Sequence, residues 1–225
     1  MEAVDLATSF KTTLDTGQAM ACFTCATCVS SCPATGIDGF DPRKLVRMAV
    51  LGMEEDLVNA RWPWICTMCG RCDYVCPMEV KIGDLVRNIR SLRGRETVPG
   101  TLHKGVETAI KTGNNFGIPK DDFVFIMEDV AEEFAEEEGL KDFEMPLDKR
   151  DANILCTVHG KLPFGQTDDM KFWWKIFHAA NESWTVPSEN WEGVNWALYT
   201  GDDDAMKTMV GRIVENMEKL NAKNL

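Results

Sequence analysis

Apolar residues recur at helical spacing in two stretches of the first half of the chain. The stretch DPRKLVRMAVLGMEEDL, residues 41–57, predicts a helix that begins at Pro42, directly after the N-cap residue Asp41. Its predicted apolar face carries residues three and four positions apart: Leu45, Met48, Ala49, Gly52 and Met53. The stretch IGDLVRNIRSL, residues 82–92, predicts a second amphipathic helix, whose apolar face consists of Ile82, Leu85, Val86 and Ile89.

The second half of the chain combines longer helical stretches with two short apolar runs. Helices are predicted over residues 120–138, 168–181 and 201–220. The middle helix carries four large apolar residues on one predicted side: Met170, Trp173, Trp174 and Phe177. The runs ANILCTVHG (152–160) and SWTVP (183–187) predict short strands, so a partial α/β layer is expected here.

A turn-rich stretch, TGNNFGIPK at residues 112–120, separates the two halves. Its closely spaced Gly, Asn-Asn, Gly and Pro residues favour turns over regular structure. We therefore expect one helical module in residues 1–112, followed by a smaller, partial α/β region in residues 113–225. The predicted fold class is mainly α.

Two cysteine blocks in the first module repeat each other, and their first cysteines, Cys22 and Cys66, lie 44 residues apart. The blocks are CFTCATCVSSCP (22–33) and CTMCGRCDYVCP (66–77). Each has the spacing Cys-x-x-Cys-x-x-Cys-x-x-x-Cys-Pro, which is the bacterial run that binds a 4Fe–4S cluster. Three cysteines at this spacing wind a loop around one corner of the cube, and the proline turns the chain away.

The fourth cysteine of each block is expected to cross over to the other cluster, as in two-cluster ferredoxins. Cluster A is then predicted to bind Cys22, Cys25, Cys28 and Cys76. Cluster B is predicted to bind Cys66, Cys69, Cys72 and Cys32. The crossing ties the two loops together and makes cluster binding part of folding. Because helices flank the blocks, we expect an all-helical scaffold instead of the β-rich bacterial ferredoxin.

Structural zinc is the alternative interpretation of the two blocks. Zinc sites usually pair one Cys-x-x-Cys with a second pair well downstream. Four cysteines within residues 22–32, followed by proline and repeated at 66–76, fit that arrangement poorly. The spacing therefore favours two 4Fe–4S clusters over zinc.

Composition and charge narrow the functional classes. The chain of 225 residues has no apolar run as long as a membrane span and no signal peptide, so a cytoplasmic protein is expected. Nine cysteines in that compartment indicate metal or redox chemistry rather than disulfides.

The charge is uneven along the chain. Residues 1–110 carry 12 Lys and Arg against 13 Asp and Glu, and residues 111–225 carry 12 Lys and Arg against 23 Asp and Glu. This acidity, without a basic arm, excludes nucleic acid as an expected partner.

The remaining cysteine and the three histidines predict packing rather than catalysis. Cys156 lies in an apolar segment and is expected to be buried. His159 follows it, but two ligands without further companions do not make a metal site. His103 and His178 lie on predicted helices as packing or surface residues.

Five of the seven tryptophans lie between residues 173 and 196, which favours a core or an interface with another protein of a complex. Trp62 and Trp64 precede the second cysteine block and are expected to shield the clusters from water. No phosphate-binding loop, nucleotide fingerprint or nucleophile–base pair is visible. We therefore expect no catalytic residue and no flavin or nicotinamide site in the chain.

The paired cysteine blocks on helices, followed by GNNFG (113–117), resemble the C and D iron–sulfur subunits of heterodisulfide reductase. They also resemble the Fe–S subunits of lactate, glycolate and glycerol-3-phosphate oxidation. The resemblance covers about the first half of the chain and includes all eight cysteines of the two blocks. It implies an α-helical ferredoxin module with two 4Fe–4S clusters. The region from ANILCTVHG onward is similar to the stretch that introduces the cysteine-rich domain of the D-type proteins.

The sequence departs from that family at the disulfide-reducing site. The family's cysteine-rich domain carries Cys-Cys-Gly motifs that hold a noncubane cluster, whereas this chain has no Cys-Cys pair. We therefore expect either that a separate subunit supplies the terminal site or that the C-terminal region serves as a docking surface.

The resemblance implies an electron-transfer subunit of an oxidoreductase complex in an anaerobe. Electrons would enter from a flavin-containing partner, pass between the clusters and leave to a subunit with a cysteine-rich terminal site. A membrane-linked quinone or cytochrome complex, with a membrane subunit, is the alternative setting. A metal-stabilised interaction module without a redox role is the third hypothesis.

Overall fold

The computed structural model describes Cys22 and residues 25–225, without the side chain at position 54. These residues form two compact units. The first unit extends to Pro99 and includes Leu198–Asp202, and the second comprises Gly100–Ala197 and Asp203–Leu225. The helix that precedes the turn-rich stretch therefore belongs to the second unit, and the domain boundary at residue 112 stays a prediction.

The first unit is built from short helices joined by turns. They are α1 (Thr27–Ser31), α2 (Pro42–Val50), α3 (Glu54–Asn59), α4 (Trp62–Ile65), α5 (Arg71–Tyr74) and α6 (Ile82–Ser91), with 3-10 turns at Ile37–Gly39 and Arg95–Thr97. The described residues of this unit contain no strand, in agreement with the predicted all-helical scaffold.

Helix α2 begins as predicted but ends earlier than the sequence pattern indicates. The Asp41 side chain accepts a hydrogen bond from a backbone N–H of the first turn at 2.9 Å, and Pro42 is the first helical residue. The predicted continuation to residue 57 is wrong, since the helix ends at Val50. Gly52 has a left-handed φ of 71°, which ends helices, and the predicted face residue Met53 is 40% exposed.

The apolar faces of α2 and α6 form the centre of the first unit's core. Every residue predicted for the apolar face of α6 is buried. The core side chains with no exposed area are Leu45, Val46, Leu57, Leu85, Val86 and Ile89. Several block cysteines pack against this core, among them Cys28 and Cys66, which are themselves buried. The apolar core therefore adjoins the cysteine blocks directly.

The second unit contains the longer helices and both strands. The helices are α7 (Gly100–Thr112), α8 (Lys120–Glu138), α9 (Lys161–Gly165), α10 (Thr167–Ala179), α11 (Trp196–Thr200) and α12 (Asp203–Leu220), and from Leu198 onward α11 is part of the first unit. The three long helices predicted from the sequence are all present, with bounds within two residues of the expected ones.

Both predicted strands are present and short. Strand β1 (Ile154–Leu155) pairs in parallel with β2 (Trp184–Thr185). Parallel pairing needs a crossover connection, and α9 and α10 lie between the two strands in sequence. Because the sheet is so small, the fold is mainly α, as predicted. None of the helices in the described part of the chain combines the length and the apolar character needed to cross a bilayer.

Helix α10 divides its aromatic residues between the core and the surface. Met170 and Trp174 are buried, and Phe177 is half-buried. The prediction that Trp173 shares their face is wrong, since its side chain is 59% exposed. The boundary between the buried and the exposed side of α10 therefore runs between the adjacent residues Trp173 and Trp174. Together with Phe172 and Ile176, Trp173 forms an exposed apolar face.

A buried carboxyl group in the second unit should make its stability depend on pH. The Glu192 residue is 8% exposed, its Oε2 accepts a hydrogen bond from the Asn115 N–H at 2.5 Å, and no described residue donates to its Oε1. Burial raises the pKa of Glu192 to about 7, because the N–H groups of Asn115 and Gly160 offset only part of the desolvation.

We expect the second unit to lose stability between about pH 4.5 and pH 7. The folded state binds the Glu192 proton more tightly than the unfolded state, so this contribution is complete below the ordinary pKa of 4.5. It is then lost as the pH rises through the folded value. Thermal unfolding from pH 4 to pH 8 should show this slope, and Glu192→Gln should flatten it. The exposed Glu189→Gln is the matched control, and an unchanged slope in Glu192→Gln contradicts the assignment.

Candidate iron–sulfur centres

The two cysteine blocks fold into matching turns. Helices α1 and α5 begin 44 residues apart, at Thr27 and Arg71, and pack against each other. The residue before each helix has a left-handed conformation, with φ of 52° at Ala26 and 73° at Gly70. This conformation turns the chain sharply between the second and third cysteines of each block. The repeat in the sequence is therefore also a repeat of backbone structure.

Cysteines of both blocks line one cavity. Three of them, Cys66, Cys69 and Cys72, belong to the second block. The fourth, Cys32, is the last cysteine of the first block. Apolar parts of the wall come from Ala34, Phe40, Pro42 and Ile82. The cavity thus brings together the four residues that the sequence assigned to cluster B.

The other four block cysteines influence one another electrostatically. Burial raises the pKa of the Cys22 thiol, and the Cys76 and Cys25 thiols raise it further. Burial also raises the pKa of Cys28 to about 11, with additional effects of Cys22, Cys25, Asp41 and Cys76. Groups that shift each other's pKa lie close together. The last cysteine of the second block therefore lies near Cys22 and Cys28 of the first block.

Backbone N–H groups contact two of the sulfur atoms. The Met68 N–H donates to Cys66 Sγ at 3.4 Å, and the Val80 N–H donates to Cys76 Sγ at 3.4 Å. A hydrogen bond of this kind stabilises negative charge on sulfur. Each of the two cysteine groups therefore contains a sulfur atom that accepts a backbone N–H.

A carboxylate lies beside the cysteine cavity. The Cys72 thiol donates to Asp73 Oδ1 at 3.5 Å, and the Gly83 N–H donates to the same oxygen at 3.0 Å. Burial, followed by the charge of Asp73, raises the pKa of Cys72 to about 12. This thiol is therefore neutral near pH 7 and must release its proton when it binds a metal.

The donor set fits an iron–sulfur cluster. All nine cysteines are free thiols. In a 4Fe–4S cube each thiolate binds a different iron, so the four sulfurs surround a volume instead of meeting at one ion. Cys32, Cys66, Cys69 and Cys72 all line one cavity, as this arrangement requires. In the part of the chain that the structure describes, no three Cys, His, Asp or Glu side chains converge as the ligands of a single metal ion.

Sequence reasoning missed two residues that hold the backbone of Cys66. Arg90 donates to the Cys66 carbonyl, and the Tyr199 hydroxyl donates to the same oxygen at 3.0 Å. Arg90 follows Ile89 on α6 and lies four residues after Val86, so its position on the buried face was the available signal. Tyr199 lies more than a hundred residues away in sequence, and no local pattern indicates its contact with the second block.

The two tryptophans before the second block lie partly within the first unit. Trp62 and Trp64 are both half-buried, and the Trp62 Nε1–H donates to the Asp38 carbonyl at 3.2 Å. Trp62 also packs against the core of the first unit. Their role in shielding the clusters from water stays a prediction.

The remaining sequence candidates lie outside both cysteine groups. Cys156 is half-buried, burial raises its pKa to about 11, and it lines an apolar cavity in the second unit. The His159 Nδ1 accepts the Lys161 N–H at 2.9 Å, and the His103 Nε2 lies 3.4 Å from the Glu107 Oε1. These contacts agree with the predicted packing and surface roles.

The cysteine blocks match a known family of domains and several known proteins. Residues 18–80 match the 4Fe-4S dicluster domain. The C subunit of the H(2):CoB-CoM heterodisulfide,ferredoxin reductase of Methanothermobacter marburgensis is 34% identical over 102 residues, which are 45% of this chain and 54% of that protein. The C2 subunit of the H(2)/formate:CoB-CoM heterodisulfide,ferredoxin reductase of Methanococcus maripaludis is 26% identical over 154 residues, 68% of this chain and 79% of that protein.

A third relative is the B subunit of the fumarate reductase (CoM/CoB) of Methanothermobacter marburgensis, with 33% identity over 119 residues, 45% of this chain and 23% of that protein. The chain spans about half the length of the first relative, the heterodisulfide reductase protein from the same organism. The predicted resemblance to the C subunits of heterodisulfide reductases is confirmed. The matched domain supports 4Fe–4S clusters as the cofactor.

Proposed function

We propose that the chain is an electron-transfer subunit with two 4Fe–4S clusters in a heterodisulfide reductase-like complex. Cluster A is held by Cys22, Cys25, Cys28 and Cys76. Cluster B is held by Cys66, Cys69, Cys72 and Cys32. The observation that supports this most directly is the cavity in which the last cysteine of the first block joins three cysteines of the second.

The chain's own residues bind the clusters and set their surroundings. When bound, each cluster supplies reversible one-electron transfer. The cysteines bind as thiolates, so loading displaces the protons that burial holds on Cys28 and Cys72. The N–H groups of Met68 and Val80 donate to ligand sulfurs and favour the more negative, reduced state. This role requires no bond-making residue in the chain.

The expected partners are proteins of the same complex. The relatives are, by name, subunits of heterodisulfide reductases. We propose that electrons come from a flavin-containing redox subunit in the cytoplasm and that a further subunit, with a cysteine-rich domain, holds the terminal site. The sequence has no Cys-Cys pair, which supports assigning disulfide reduction to another polypeptide.

Anaerobic purification of the native complex through a tag on this chain tests the assignment. A flavoprotein and a protein with Cys-Cys-Gly motifs should copurify with it. Copurification of a cytochrome or a quinone-binding membrane protein in their place would favour the membrane-linked alternative. Recovery of the chain with no redox protein would contradict a relay function.

The exposed face of α10 is the proposed docking surface of the acidic second unit. Phe172, Trp173 and Ile176 are each more than half exposed, and contiguous apolar surface of this kind marks protein–protein contacts. Replacing Phe172 and Trp173 together by Ser should reduce the copurifying proteins at least about tenfold, because interface aromatics carry much of the binding energy.

Cluster content distinguishes lost docking from lost folding in that experiment. The double variant should keep its iron, since α10 belongs to the second unit and the block cysteines to the first. Val214→Ser on α12 is the matched control, because Val214 is also exposed and apolar but lies on another helix. Equal recovery of the partners in the double variant and in the control would contradict docking at this face.

A further inference from the structure

Arg90 is a fully buried cation in the first unit, with 0% exposure. Its Nε donates to the Pro63 carbonyl at 2.9 Å, and its Nη2 donates to the carbonyls of Pro63 and Cys66. Its Nη1 donates to the Tyr199 carbonyl at 2.6 Å and to the Met68 Sδ at 3.0 Å. The guanidinium group therefore holds the backbone on both sides of the first cysteine of the second block.

All of these partners are neutral. The guanidinium also lies over the rings of Trp64 and Tyr199, at 4.9 Å and 4.0 Å from their centroids. Among the described residues, no carboxylate forms an ion pair with Arg90, although a buried arginine usually has one because an uncompensated buried charge is costly. The contacts in the chain satisfy its hydrogen-bond donors but leave its charge without a counter-charge.

We propose that Arg90 is a positioning residue that provides the counter-charge of cluster B and raises its reduction potential. The inference rests on the proposed function, in which Cys66 is a thiolate ligand of that cluster. Net charge near a cluster is one determinant of its potential, and a nearby cation stabilises the more negative, reduced state. Arg90 donates to the backbone carbonyl of Cys66, so its charge lies beside the backbone of this cluster ligand.

The two cysteine groups differ in how deeply their neighbouring cations are buried. When the sequences of α2 and α6 are aligned so that Leu45 matches Leu85, Val50 matches Arg90. The cations that act on thiols of the first block, Arg43 and Arg47, are only half-buried. Arg90 therefore distinguishes two sites whose cysteine spacing is the same, and a relay with an electron-transfer direction needs such a difference.

Tyr199 fixes Arg90 and Cys66 relative to each other. Its hydroxyl donates to the Cys66 carbonyl at 3.0 Å, while its own carbonyl accepts from Arg90. The nearby Gly201 has a φ of 73°, and a Cβ there would lie 2.6 Å from the Ser91 nitrogen. Glycine therefore lets the Leu198–Asp202 segment approach the end of α6 closely enough to contribute Tyr199.

Redox titration of Arg90→Gln and Arg90→Lys, followed by EPR, tests the proposal. We expect Arg90→Gln to lower the midpoint of cluster B and to leave that of cluster A unchanged, while Arg90→Lys keeps cluster B near its wild-type midpoint. Wild-type midpoints for both clusters in a loaded Arg90→Gln protein would overturn the proposal. It would also be overturned if Arg90→Lys lowered the midpoint of cluster B as far as Arg90→Gln does.

If Arg90→Gln does not assemble cluster B, a second variant still tests the proposal. Tyr199→Phe removes one hydroxyl and keeps the ring, and it should lower the midpoint of cluster B alone by a smaller amount. The proposal would be overturned if Arg90→Gln failed to assemble cluster B and Tyr199→Phe left the midpoint of cluster B unchanged. Arg90 would then have a purely structural role. Wild-type protein without two clusters would be a different result, since it would contradict the proposed function itself.

Discussion

Cys76→Ser is expected to damage the cluster held by the first block, although Cys76 lies in the second. Its thiol acts electrostatically on Cys22 and Cys28, and the Val80 N–H that contacts it would lose its sulfur partner. The variant should lose about half of the cluster iron, and the EPR signal that remains should be that of cluster B. Iron analysis and EPR of the anaerobically reduced protein measure both quantities.

The reciprocal variant and a control make the result specific. Cys32→Ser should damage cluster B and spare cluster A, because Cys32 lines the cavity with Cys66, Cys69 and Cys72. Cys156→Ser should keep both clusters, since this half-buried cysteine lies in the second unit. If Cys76→Ser damaged only the cluster of its own block, the crossed assignment would be refuted.

Removal of the clusters is expected to unfold the two cysteine blocks while the second unit stays folded. Helices α1 and α5 have only five and four residues, too few to be stable without tertiary support. The cluster ligands would supply much of that support. After iron chelation, amide hydrogen exchange in residues 25–36 and 66–80 should accelerate at least about a hundredfold, because local opening would then cost little free energy.

Other parts of the chain provide the internal controls for this exchange experiment. Residues 82–91 should keep part of their protection, because α6 buries Leu85, Val86 and Ile89 in an apolar core that needs no metal. Residues 120–138 of the second unit should not change. Full protection of both blocks in the iron-free protein would show that the clusters are not needed for their fold.

The regular elements followed from local patterns, because periodicity and capping act over a few residues. The pattern predicted α6 and four of its six buried positions, and it predicted both strands as short. It failed where one residue changes the backbone direction, as Gly52 does when it ends α2. It also failed at Trp173, because two adjacent aromatic residues gave no indication of which one faces the core.

The cysteine ligands could be proposed from spacing alone, whereas their surroundings could not. Eight thiols at fixed intervals indicate one kind of cofactor. The charge around them depends on residues brought together by folding, such as Asp73 beside Cys72 and Tyr199 on the Cys66 carbonyl. A contact across more than a hundred residues leaves no periodic trace in the sequence, so the electrostatic difference between the two sites required the structure.

Metal and sulfide analysis of the anaerobically purified chain tests the central claim most directly. Two 4Fe–4S clusters correspond to about eight irons and about eight acid-labile sulfides per chain, and the reduced protein should show the EPR spectrum of two magnetically interacting cubes. Bound zinc without iron or sulfide would contradict the account, because it would identify the blocks as a structural metal site with no redox role.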